Sequence, residues 1–311
     1  MFGLFLFNKP SGPSSAQFLG QIKRMLHISK LVRVGHGGTL DPFASGLLIV
    51  GVSRAYTKLL NQQLLHDTKE YEADIILGAL SDTGDKTGTV TSPHTHGDIH
   101  TDNIRIAIET IQQRTHQTPP QFSAVNIGGK KAYERARNGE QFDIQPKKTS
   151  LISCDIVHTE SLPDGLIKVS VHMKVSAGFY IRSFARDLGE LLDCGGYVDS
   201  LVRTSVGHFS LKNALSVDDL TKPVELYFYA SGGVQNVGFR MYAKAEAEKL
   251  GLSGYAKNIT QNNIEIVAQG PLEKLYEFLA SVHKGPAQSH IDTSIDYFHK
   301  PDKEFRTFDI L

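Results

Sequence analysis

Downstream of a break at Ser216 to Pro223 the chain changes rhythm, and this change constrains the fold more than any other feature. Val224 to Ala230 reads as a strand, a glycine-rich loop follows, and a helix runs from Phe239 to Leu250. Ile264 to Ala268 is a second strand, Leu272 to Val282 a second helix, and Phe305 to Leu311 a closing strand. Strand and helix alternate over fewer than a hundred residues. No single one of these elements can bury its apolar face alone, so together they form one small α/β sandwich.

Upstream of the break, strands and helices mix without a regular alternation. Met1 to Phe7 is an apolar run too short to span a membrane and without a basic leader, so it reads as a strand. Leu47 to Val52, Tyr71 to Leu80 and Leu166 to Val175 are β-prone, and Ser81 to Gly88 is a turn. Gln17 to Leu26, Thr101 to Gln112 and Ile181 to Leu192 have helical spacing. The expected fold class is therefore α+β: a mixed sheet with flanking helices over residues 1–222, and a small sandwich of the ferredoxin-like type over 223–311. At 311 residues, with 40% hydrophobic and 21% charged content, both units can bury a core. Cys154 and Cys194 fit neither a disulfide framework nor metal-ligand spacing, which is consistent with a cytoplasmic protein needing no metal or cofactor.

The most informative stretch runs Gly35-His36-Gly37-Gly38-Thr39-Leu40-Asp41-Pro42-Phe43-Ala44-Ser45-Gly46-Leu47-Leu48. Glycines allow tight turns and close ligand approach. Pro42 holds Asp41 in extended geometry and so helps aim its carboxylate. No Gly-Lys-Ser/Thr follows, so this is not a phosphate-cradling loop. Taken bare, the stretch reads more readily as an aspartate turn beside a core strand than as a catalytic loop.

The stretch resembles the active-site motif of the TruB-type tRNA pseudouridine synthases, and further segments match that family in order. These are Asn8-Lys9-Pro10-Ser11-Gly12 with Ser14 and Ser15, Lys69-Glu70-Tyr71 with Asp82-Thr83-Gly84-Asp85, Pro119 to Ala124 through Arg137-Asn138-Gly139, and Ser176 to Arg182 through Asp187-Leu188-Gly189. The resemblance covers about residues 1–215. It implies that Asp41 is the catalytic carboxylate, that Arg182 pairs with it, and that Tyr71 stacks on the target base. It implies RNA- or substrate-binding roles for His36, against the space left by a flipped nucleotide, for Leu201 as an apolar wall, and for Lys9, Tyr180, Lys130 and Arg137. A cation beside Asp41 is expected to keep it charged. Tyr197, Val202 and Gln145 to Lys148 depart from the family pattern, which bears on RNA contacts but not on the catalytic set.

In the second unit, Gly232-Gly233-Val234-Gln235-Asn236-Val237-Gly238-Phe239-Arg240 follows a strand and opens a helix. Backbone N–H groups in such a turn, with a helix N-terminus behind them, make an anion site. This segment resembles the loop of acylphosphatases. The likeness implies a phosphate loop over Gly233, Val234, Gln235, Asn236, Val237, Gly238 and Phe239, with Arg240 binding phosphate and Asn258 positioning the attacking water. Asn236 stands where that family has Gly; if the position needs positive φ, Asn is the least costly alternative.

Net charge is zero, but its distribution is uneven. Residues 1–65 carry seven basic side chains against Asp41 alone, and residues 130–148 carry six against three acids. Such local basic surface suits phosphate contacts. Residues 223–311 carry nine basic against eleven acidic side chains, which does not favour a nucleic-acid backbone. The expected partners are a tRNA for the first unit and a small acyl phosphate for the second, with no membrane, in a monomer carrying two independent activities. The alternative is an acylphosphatase whose larger unit binds RNA without catalysis.

Overall fold

The computed structural model describes residues 2–62, 66–91 and 99–311. Its larger strands are β1 (Gly3–Lys9), β2 (Val34–His36), β3 (Ser45–Val52), β4 (Lys69–Leu77), β5 (Leu151–Ser161), β6 (Ile167–Val175), β7 (Gly196–Val206), β8 (Val224–Gly233), β9 (Ser253–Thr260), β10 (Asn263–Gly270), β11 (His290–His299) and β12 (Phe308–Ile310). The helices that frame them are α1 (Ser15–Met25), α2 (Arg54–Gln62), α3 (Thr101–Gln112), α4 (Ala132–Arg137), α5 (Ile181–Leu191), α6 (Phe239–Leu250) and α7 (Leu272–Lys284).

The strands join into one mixed sheet in the order β5-β6-β4-β7-β3-β1-β11-β8-β10-β9-β12, with β2 added on β3. The two expected units are thus edge to edge in a single sheet. The join is β1 against β11, parallel, with Leu4 opposite Tyr297 and Phe5 opposite Phe298. β1 is apolar along nearly its whole length because it is covered on both faces. Phe5 and Phe7 point into a core shared by α1, α3, α5, α6 and α7; Leu4 and Leu6 point into a second cluster with Leu47, Ile49, Leu60 and Phe209. Each fully buried phenyl ring contributes about 1.5–3 kcal/mol.

The sandwich has five strands rather than the three that its pattern suggests: β9 and β11 add to β8, β10 and β12. β11 hides in the sequence because much of it is polar, including Asp296 and His299, which are buried and paired.

Candidate active site and a second candidate cleft

The Asp41 loop is fastened from four directions. β2 pairs antiparallel with β3, and Gly37 N–H donates to Ile49 O at 2.8 Å, so the loop is pinched at its base. From α1, Ser15 Oγ donates to Leu40 O (2.8 Å) and accepts from Leu40 N–H (2.9 Å). α1 itself starts at a capping box, Ser14 with Gln17. From the segment after β1, Gly12 N–H reaches Pro42 O at 2.7 Å and Ser11 Oγ donates to Phe43 O at 2.8 Å. From β7, the fully buried Arg203 donates through Nε to Leu47 O (2.8 Å) and through Nη2 to Gly38 O (3.0 Å).

Lys9 is also fully buried, at 0% exposure, where an RNA-contacting side chain was expected. Its Nζ donates to Pro10 O and Pro13 O, both at 2.8 Å, and to Pro42 O at 3.4 Å. As placed, it secures the loop beside Asp41. Burial pulls its pKa down to about 8, with the Asp41 charge opposing.

Arg182, at the start of α5 and 5% exposed, brings Nε to 2.9 Å from Asp41 Oδ2. Its other nitrogens donate to Thr83 O (3.0 Å) and Phe122 O (2.9 Å), and Nη1 lies 3.7 Å from Asp85 Oδ2. The guanidinium therefore ties together three distant segments around one carboxylate. The Asp41 side chain keeps 34% of its surface open. Burial raises the Asp41 pKa above the ordinary carboxylate value; Arg182 favours the charged form, as expected, but does not overcome the burial. Asp85 adds to the rise by like-charge repulsion.

Tyr71 on β4 and Leu201 on β7 are each 7% exposed and belong to the same core, with Tyr71 opposite Arg203 in the strand register. Tyr180 caps α5 and exchanges two hydrogen bonds with the Gln117 side chain; burial, then the Asp41 charge, raises its phenol pKa. His36 ends β2, and burial followed by the Arg203 charge lowers its imidazole pKa, which favours the neutral ring. Lys130 and Arg137 are exposed on the segment carrying α4, where the Arg137 guanidinium sits 5.5 Å from the Tyr133 ring centroid.

Arg203 and Ser15 were not singled out from the sequence as loop anchors. Their signal, a buried arginine on a strand and a serine one residue past a cap, becomes specific only once the partners are seen.

The chain matches the TruB family pseudouridylate synthase N-terminal model over residues 23–181 and the tRNA pseudouridylate synthase B C-terminal model over 182–230. It is 37% identical over 224 residues to the tRNA pseudouridine synthase B of Prochlorococcus marinus, covering 72% of this chain and 69% of that protein. The corresponding protein of Protochlamydia amoebophila is 40% identical over 215 residues, covering 69% and 78%. The chain belongs to the TruB family of pseudouridine synthases. Among solved structures, a Cbf5-Nop10-Gar1 complex is 27% identical with a TM-score of 0.51, over 70% of this chain and 53% of that one, so the match spans about half of the solved chain.

Beyond the TruB-type segment, residues 226–310 match the acylphosphatase family model. Acylphosphatase from Bacillus subtilis is 30% identical over 28% of this chain and 98% of that one, with a TM-score of 0.28. Here β8 ends at Gly233, and the loop from Val234 to Gly238 leads into α6. Val234 is buried, Val237 packs against the core, and Gly238 has φ +74° at the helix cap. Asn236 has φ +58°, the positive value its replacement of glycine suggested. Gln235 Nε2 donates to Asn263 O at 3.3 Å and also to Thr260 O, which braces the loop from the β9–β10 turn. A cleft of about 200 Å³ brings together Asn236, Gly238, Phe239, Arg240, Asn258 and Ile310. Arg240 Nη1 donates to Leu311 O at 2.9 Å.

Proposed function

We propose that residues 1–222 convert a uridine of tRNA, at position 55 of the T loop, to pseudouridine, with Asp41 as the catalytic carboxylate. The observation that carries this reading is the 2.9 Å pair between Arg182 and a partly open Asp41 on a loop fastened from four directions. In the reaction the N1–C1′ bond breaks, the base turns, and C5 bonds to C1′; the C5 proton is lost and N1 gains one. An ionised Asp41 acts as nucleophile or base at that centre, and preorganisation spares the cost of positioning it. The uridine leaves its stack to reach the site. Tyr71 stacks on it, Leu201 forms an apolar wall, and His36 and Tyr180 line the approach. Lys130 and Arg137 meet the phosphate backbone, and Lys9 acts from beneath the loop. The tRNA names of the relatives support this substrate. Site-resolved mapping of an unmodified tRNA transcript after incubation tests it: modification confined to the T-loop uridine is expected, and a product mapping elsewhere would overturn the assignment.

We propose further that residues 223–311 hydrolyse a small acyl phosphate. Backbone N–H groups of the Val234–Gly238 loop and Arg240 hold the phosphate, and Asn258 places the water. Their convergence on one cleft supports this. Benzoyl phosphate hydrolysis should be lost in Arg240→Ala; equal rates in variant and wild type would remove the assignment.

A further inference from the structure

β1 belongs to both halves of the molecule. Near its start, Phe5 stacks on Phe298 of β11 with ring centroids 4.8 Å apart. Gly3 has φ +137°, and a Cβ there would meet the Phe298 ring at 2.7 Å, so the approach is as close as the backbone allows. Beside Phe298, Asp296 is 2% exposed. It accepts from Tyr56 of α2 at 2.7 and 2.8 Å, and its Oδ1 lies 3.0 Å from His283 Nε2 of α7. A buried carboxylate needs its donors, so this group grips one element from each half. The segment leading into β8 lies along the same strand: Leu215 N–H donates to Leu6 O at 2.7 Å, and Asn8 N–H to Leu215 O at 2.8 Å.

The other end of β1 is Lys9, whose ammonium holds Pro13 and Pro42 next to Asp41. Phe5 and Lys9 are four residues apart on one strand, about 13 Å. Without β11, the Leu4–Phe5 end of β1 would be an unpaired edge.

We propose that the acylphosphatase-like unit is a positioning element of the uridine site. By pairing β11 with β1 and clamping it through Phe298 and Asp296, it fixes the strand whose far end holds the Asp41 loop. This rests on the reading of Asp41 as the catalytic carboxylate. The role is separate from hydrolysis, since it uses the opposite end of β8 from the phosphate loop: Leu226 pairs with Phe298, whereas Gly233 pairs with His290.

The test uses the full-length chain with Phe298→Ala, Tyr56→Phe and, as a control, Ile264→Ala, which opens a cavity in the core at the end of β10 that pairs with Ala230, away from the clamp. Single-turnover pseudouridine formation is measured against tRNA concentration, below the melting temperature of every variant. Phe298→Ala is expected to lower the maximal rate by roughly tenfold or more, since small misplacements near a reacting centre have effects of that size. Tyr56→Phe lowers it several-fold. The half-saturating tRNA concentration stays unchanged in both. Ile264→Ala loses melting temperature but keeps the rate. Interface variants with wild-type rates, or rates that simply follow melting temperature across all three variants, would overturn the proposal. If Phe298→Ala does not fold, Tyr56→Phe decides alone. An inactive wild-type chain would instead remove the reading of Asp41, and the proposal with it.

Discussion

At the scale of single residues, the proposed uridine site turns on a conflict around Asp41. The proposed chemistry needs a charged carboxylate, and burial opposes that charge; Arg182 is the largest influence favouring it. Because the folded pKa is raised, the ionised fraction grows as pH rises through a value above the ordinary carboxylate range. The acid limb of kcat/KM for pseudouridine formation should therefore lie above about pH 4. Removing the like charge in Asp85→Asn should move that limb to lower pH, even as the rate falls because Arg182 loses a partner. A pH–rate profile of both proteins checks the sign, and a limb that moves upward would contradict it. The Asp41–Arg182 pair was legible in the sequence because both residues sit in long, ordered motifs. The net direction of the Asp41 shift was not, because desolvation depends on everything packed around the loop. The burial of Lys9 was hidden for the same reason: its three carbonyl partners lie on segments that only the fold brings together.

At the scale of elements, β7 explains why part of the fold was hidden. Its register shifts against β4 between Val198 and Ser200 and again between Arg203 and Ser205. Each irregularity breaks the period of two that marks a strand. The same strand crosses β3 so closely that Gly46, at φ +107°, faces the Arg203 backbone; a Cβ would lie 2.4 Å from Arg203 O. Gly46→Ala should therefore cost more than about 3 kcal/mol, read as a lower denaturant midpoint. A midpoint equal to wild type would mean that β3 and β7 are not so tightly apposed. The Val234–Gly238 loop behaves oppositely. Asn236 already tolerates its positive φ, so Asn236→Gly should change stability by less than about 1–2 kcal/mol while clearing the cleft mouth. Benzoyl phosphate hydrolysis in that variant should rise; a fall would show that the carboxamide assists the reaction.

At the scale of the whole molecule, the pattern change near Ser216 marks a shift of element type but not a physical break. The expected α+β class and the two folds are present. The continuity between them was invisible, because it depends on a parallel pairing between residues almost three hundred positions apart, Leu4 with Tyr297. One sheet carries the Asp41 loop near its middle and the Arg240 cleft towards one end. Both rest on loops whose supporting strands share a core. Among the described residues no helix is long and apolar enough to cross a membrane. The most direct measurement is single-turnover conversion of an unmodified tRNA transcript by wild type and by Asp41→Asn, a near-isosteric change that removes the charge. Pseudouridine from wild type and none from Asp41→Asn is the predicted result. Equal product from the two proteins would place the chemistry elsewhere.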